Sequence, residues 1–169
     1  MQLGKAMALL ATAWIAAQSG AAVAAKADDE AAIRNALLDG CAGFVNKDLA
    51  RATALYSPDL YIFNSLTMPH NNLADLLETN RQEIGSVVGT PTCTYRDMYV
   101  KVYGDNAYAR YFLSIVATHK SGAKIDVEGR GTNIFERING EWKVVHEHFS
   151  LPTTNPVTGQ TVLKSDSKN

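Results

Sequence analysis

The stretch 129–152, GRGTNIFERINGEWKVVHEHFSLP, decides how this chain is read. Asn139-Gly140 lies between two runs of alternating polarity, a strong hairpin signal because both residue types tolerate the positive φ of a two-residue turn. Such a turn fixes the pairing. Ile138 opposes Glu141, Ile134 opposes Val145, Thr132 opposes Glu147 and Arg130 opposes Phe149. On the other surface Phe135, Asn133 and Gly131 oppose Val144, His146 and His148.

Working outward, three more strand-like runs precede the last one, "EWKVVHEHFSL" (141–151): "CTYRDMYVKVY" (93–103), "NAYARYFLSIVATH" (106–119) and "KIDVEGRGTNIFERI" (124–138). Gly104-Asp105 and Ser121-Gly122 join them with hairpin chemistry. With Ser121-Gly122 as a two-residue turn, Leu113 pairs with Arg130 and Tyr111 with Thr132. One face then gathers Tyr111, Leu113, Ile115, Arg130, Thr132, Ile134, Val145, Glu147 and Phe149. The other carries Phe112, Phe135, Trp142, Val144, His146 and His148. Both faces are too apolar to meet water, so one is expected to face helices and the other a partner subunit. A slip of one residue would exchange the faces.

The first half has helical texture. Asp28-Asp29-Glu30 place negative charge where a helix N-terminus favours it, and Ile33, Leu37, Cys41, Phe44 and Val45 form one stripe. Gly40 and Gly43 cost that helix stability but allow a neighbour to approach closely. Asp48 caps a short second helix, "LYIFNSL" (60–66) reads as a strand, and Asn71 or Asn72 caps a third helix that stops at Gly85. Helices followed by an antiparallel meander give an α+β class. The economical arrangement packs the helices in the concave face of a curved antiparallel sheet, a cone-shaped barrel with a pocket where function is sought.

Residues 1–25 read as a signal peptide, with Lys5 ahead of an apolar run and A-x-A cleavage options between Ala24 and Ala27. That run falls short of the ~20 residues a bilayer span needs, so export is expected and no membrane span thereafter. Residues 153–169 form a polar, aperiodic tail, leaving 28–152 as one domain. A net charge of −1 without a basic block argues against a nucleic-acid partner. Cys41 and Cys93 either bridge or serve as small buried apolar residues; two cysteines make no framework.

The closing stretch resembles the final hairpin of the SnoaL-like families of the nuclear transport factor 2-like superfamily, through its R-G-T, N-G-x-W and V-H-x-H-x-S elements. It is also similar to the end of the association domain of calcium/calmodulin-dependent protein kinase II. The resemblance runs more loosely back through "DLARATALYSPDLYIF" (48–63) to the first helix. It implies a cone fold, a pocket between sheet and helices, and a homodimer through the outer face of the sheet. Laid over the limonene-epoxide-hydrolase branch, the acidic residue of the last strand falls on Glu147 and the arginine of its neighbour near Arg130, while Thr132 stands where a second acid is expected. The ketosteroid-isomerase branch puts Val145, Glu147 and Phe149 inside. It also sets Asn64 where that branch has its proton-shuttling aspartate and Gly40 where it has its oxyanion tyrosine. An amide is no general base and glycine offers no phenol, so steroid isomerisation by that route is not expected.

Glu147 is therefore the candidate catalytic group, with Arg130 and Thr132 beside it; the bland alternative is a structural Arg130–Glu147 pair bracing two strands. Asn64, Tyr61, Phe63, Tyr111, Leu113, Val145 and Phe149 are candidate ligand contacts, although aromatics at strand spacing are more often plain core. His146 and His148 share a strand face and could hold zinc, but a third ligand would have to come from His119 or His70, so neither metal nor cofactor is expected. Two functions stay open. The first is binding of a small, largely apolar molecule without catalysis. The second is a cofactor-independent hydrolase, lyase or isomerase with Glu147 as general base.

Overall fold

The computed structural model describes residues 26–65 and 69–152. The expected export segment, the polar tail and Leu66 of the expected first strand lie outside the described residues. Helix α1 runs through residues 26–45, followed by α2 (Leu49–Thr53), β1 (Tyr56–Asn64) and α3 (Leu73–Ser86). Four strands complete the chain: β2 (Val87–Tyr103), β3 (Asn106–His119), β4 (Lys124–Ile138) and β5 (Glu141–Ser150). The caps fall on the expected side chains. Asp48 accepts from the Arg51 amide at 3.1 Å and Asn72 from the Asp75 amide at 3.0 Å, each satisfying an otherwise orphaned donor of a first turn. Helix α3 passes Gly85 and leads directly into β2.

The strands form one sheet in the order β1-β5-β4-β3-β2, antiparallel except for the parallel pair β1–β5. Helix α1 lies across its inner face. Ile33 and Leu37, the centre of the helical stripe, pack into a core with Val100, Ala109, Phe135 and Val144. The helix start is tied down as well: the Trp142 indole donates to Asp29 at 3.1 Å, and Arg137 pairs with the same carboxylate at 2.6 Å. A smaller cluster of Leu60, Ile62 and Leu76 seats α3 against β1. Cys41 of α1 and Cys93 of β2 are joined by a disulfide. The mixed layers and curved sheet are those of the cone fold.

Two local features set which residues face the core, and both depart from the register read off the turns. At the β3–β4 turn three residues rather than two form the loop: the His119 amide donates to the Ala123 carbonyl at 2.8 Å, and Gly122 takes φ +86°. The extra residue moves β4 by one place, so that Leu113 pairs with Gly129 and Tyr111 with Gly131. The second is a β-bulge between the Phe135↔Val144 and Ile134↔His146 pairs, which leaves Val145 outside the ladder. The Asn139-Gly140 turn itself is of the expected two-residue kind, with φ of 53° and 85° and Ile138 opposite Glu141.

Arg130 and Thr132 consequently project from the outer face, exposed to solvent, and the structural Arg130–Glu147 brace does not form. Ile134 is outside too, 42% exposed. The inner positions of β4 are instead Gly129, Gly131, Asn133 and Phe135. Their small members have a steric reason. A Cβ on Gly131 would stand 2.2 Å from the Tyr111 ring, and one on Gly129 2.2 Å from that of Phe149. The two glycines make room for rings to lie flat on the sheet. The bulge then changes the phase of β5: Trp142 and Val144 face inward before it, Glu147 and Phe149 after it. An unbulged β5 would have turned Glu147 to the opposite side from Val144.

Candidate functional site

Beyond the end of α1, the helices and the sheet diverge and leave a cavity of about 390 Å³. Its walls are largely aliphatic and aromatic: Phe44 from α1, Leu113 and Ile115 from β3, Val127 from β4 and Phe149 from β5. The polar members are Asn64, Ser86, Glu83 and Glu147. A side chamber of about 160 Å³ shares Phe44, Glu83, Leu113 and Ile115 with it and reaches Tyr56, Tyr95 and the disulfide.

Glu147 is held by a chain of hydrogen bonds that starts in the core. The Tyr111 hydroxyl donates to Oδ1 of Asn133, which is fully buried. That bond fixes the amide orientation, so Asn133 Nδ2 donates to Glu147 Oε2 at 2.7 Å. Tyr56 Oη donates to the same oxygen at 2.9 Å. Oε1 receives no donor among the described residues, where no buried side-chain oxygen lacks a partner; it is therefore open to the cavity. Tyr95 lines the side chamber, and its hydroxyl is likewise without a partner among the described residues.

Burial pushes the Glu147 carboxyl above the ordinary carboxylate value, against the opposing pull of the Asn133 and Tyr56 donors and of the charges on His146 and His70. Burial together with the Glu147 charge drives the phenols of Tyr56, Tyr95 and Tyr111 up, so all three remain neutral. Glu83 is also raised by burial of its carboxyl, although the residue as a whole is exposed at the solvent end of the cavity.

The raised value has a measurable consequence. A group that holds its proton more tightly when folded stabilises the fold below its unfolded pKa, near 4.5, and loses that contribution as pH rises through the folded value. Wild type should therefore lose stability relative to Glu147→Gln from about pH 4.5 upward, until the carboxyl is ionised. Glutamine can still accept from Tyr56 and Asn133, so the fold is retained. Urea denaturation of both proteins across that range checks this, and a pH-independent difference would contradict the burial of Glu147.

Of the residues singled out by sequence, Asn64, Leu113, Glu147 and Phe149 line the cavity. Tyr111 lies beneath it as the support of Asn133 rather than as a wall. Tyr61 and Phe63 stand on the outer face because β1 buries Leu60 and Ile62 instead. There they pack against the histidines, Tyr61 stacked on His146 at 6.3 Å and Phe63 edge-on to His148 at 6.2 Å. Val145 is displaced into the bulge. Among the described residues no group of three His, Cys, Asp or Glu could hold a metal ion. The sequence reading missed Asn133, Tyr56, Tyr95 and Glu83. The alternation Gly129-x-Gly131-x-Asn133-x-Phe135 was the available signal for the first, obscured by Ile134 beside Phe135.

Residues 33–154 match the family model of the SnoaL-like domain, and the chain belongs to that family. No curated protein sequence matches it. Solved structures share the fold. A nuclear transport factor 2-like protein of unknown function from Pseudomonas putida is 19% identical with a TM-score of 0.68, over 82% of this chain and 96% of that one. A protein from Streptomyces avermitilis, provisionally assigned as a dehydratase of the nuclear transport factor 2-like family, is 16% identical with a TM-score of 0.65, over 75% of this chain and 97% of that one. A provisionally assigned calcium/calmodulin dependent protein kinase II association domain from Xanthomonas campestris is 21% identical with a TM-score of 0.59, over 69% and 84%. At these identities the likeness concerns the fold alone, and function has to be argued from the site.

Proposed function

We propose that this protein is an exported, dimeric receptacle for a small, largely apolar molecule, held in the cone cavity with Glu147 as its polar anchor. The observation that carries the reading is a mostly apolar cavity into which a buried carboxyl presents one uncommitted oxygen. Apolar walls supply affinity and a few fixed polar groups supply orientation, the usual division of labour in such sites. Export is supported by the Cys41–Cys93 bridge, a bond that persists in oxidising compartments. A second copy on the outer face is supported by the exposure there of Phe63 (49%), Val116 (46%) and Ile134 (42%).

A second reading makes the same carboxyl a general acid or base for a hydrolase, lyase or isomerase without cofactor. The raised carboxyl favours it, because proton transfer near neutral pH is most efficient with a group brought towards that pH. The dehydratase assignment of the Streptomyces structure is compatible with it.

A thermal-shift screen over small esters, epoxides, enones and alcohols, on wild type and Glu147→Gln, tests both. Ligands of the cavity should raise Tm, since one present at 100 times its Kd stabilises by about 2.7 kcal/mol. If Glu147→Gln abolishes turnover of a binding compound while affinity persists, the catalytic reading holds. If compounds bind both proteins without turnover, the receptacle reading holds. A folded protein that no compound stabilises would refute both.

A further inference from the structure

We infer that the occupant of the cavity is an apolar amine, bound as its ammonium form between Glu147 and Glu83. This inference rests on the proposed reading of the cavity as a small-molecule site and narrows it to one chemical class. Its basis is the sign of the charge. Among the residues lining the main cavity and the side chamber, the charged side chains are Glu147 and Glu83, one on β5 and one on α3. The remaining walls from α1, β1, β3 and β4 are apolar or neutral.

The cations nearby are not among the residues lining either space. Lys47 donates to the Val87 carbonyl at 2.8 Å. Arg81 pairs with Glu78, and with Lys120 it lines a surface hollow that shares Glu83 and Ser86 with the cavity. His146 stands on the outer face of the sheet against Tyr61, and buried His70 precedes α3; the charges of both pull on Glu147, but neither residue lines the cavity or the side chamber.

Glu147 is thus a buried carboxyl whose two protein partners are neutral donors, Asn133 and Tyr56. No cation hydrogen-bonds it among the described residues, so a cation in the cavity would be its direct charged partner, and its open oxygen presents the acceptor for one. Tyr95, a residue of the adjoining chamber whose hydroxyl has no partner among the described residues, offers an ammonium a second acceptor. A ligand carboxylate would instead meet two like charges in an apolar enclosure, where repulsion is poorly screened. The aliphatic and aromatic walls select the body of the molecule; the two glutamates select its charge.

The test is an isosteric series measured by calorimetry at pH 8: 1-naphthylmethylamine, 1-naphthylmethanol and 1-naphthoate. The amine should bind about tenfold tighter than the alcohol, or better, a difference of about 1.4 kcal/mol. The carboxylate should not bind. Glu83→Gln, a change at an exposed helical position, should weaken the amine severalfold and leave the alcohol unchanged. Alcohol binding as tight as that of the amine, or measurable binding of the carboxylate, overturns the inference while leaving the small-molecule reading intact. If none of the three binds and the wider neutral screen is also silent, both fall.

Discussion

Reduction of the Cys41–Cys93 bridge should lower the stability of this protein by about 4 kcal/mol. The bridge closes a loop with a sequence separation of 52 residues. The chain-entropy relation for a loop of that length gives about 4 kcal/mol of destabilisation when the constraint on the unfolded chain is removed. The loss is large beside the 5–15 kcal/mol that holds a typical domain folded, so Tm should fall by more than about 10 °C. Urea denaturation with and without reductant, repeated on a Cys41→Ala/Cys93→Ala double variant, checks it. The double variant should match the reduced wild type, and its own midpoint should ignore reductant. Equal midpoints for oxidised and reduced wild type would mean that the bond does not form in the folded protein. Since the bridge also lines the side chamber, its removal should loosen the wall shared by α1 and β2.

The second large effect is expected at Gly43. Alanine is normally favoured over glycine inside a helix by about 1 kcal/mol. Here the sign should reverse. A Cβ at position 43 would stand 2.3 Å from the backbone nitrogen of Ala52 and 2.7 Å from its Cα. Those atoms belong to α2 and cannot rotate away, so α1 and α2 must separate. Overpacking of this kind costs about 1–3 kcal/mol, and backbone contact puts Gly43→Ala at the upper end or beyond. Gly85→Ala in α3 is the matched control: nothing lies within 4 Å of its added methyl, and it should stabilise by up to about 1 kcal/mol. If Gly43→Ala also stabilises, the close approach of the two helices is wrong.

How much of this was legible in the chain depends on the range of the interactions involved. The caps at Asp48 and Asn72 and the bounds of β3 and β4 were readable because they follow from local chemistry: side chains that accept from a first turn, and alternation between turn residues. The inner face of β4 was not. It depends on whether Lys120 belongs to the strand or to the loop, and both two- and three-residue loops suit Ser121-Gly122. The bulge at Val145 carries no glycine or proline to announce it. Strict alternation from the Asn139-Gly140 turn pairs Glu147 with Thr132, which stands outside. Family resemblance placed Glu147 inward, and the structure supplies the cause. Tyr56 escaped because it sits at the helix-to-strand change, where neither period applies, and its partner is 91 residues away.

The position of β5 has a consequence for how the molecule comes to exist. The last strand among the described residues lies between β1 and β4, and it is the ladder partner of β1 at Tyr56 and from Tyr61 to Asn64. Tyr61 pairs with His146, across most of the domain. Until β5 is in place, β1 has an unsatisfied edge and the cone has a missing stave. Contacts so distant along the chain make assembly slow, and they keep the nascent polypeptide from closing early. The same stave carries Glu147, so the wall closes and its acidic group arrives in a single event.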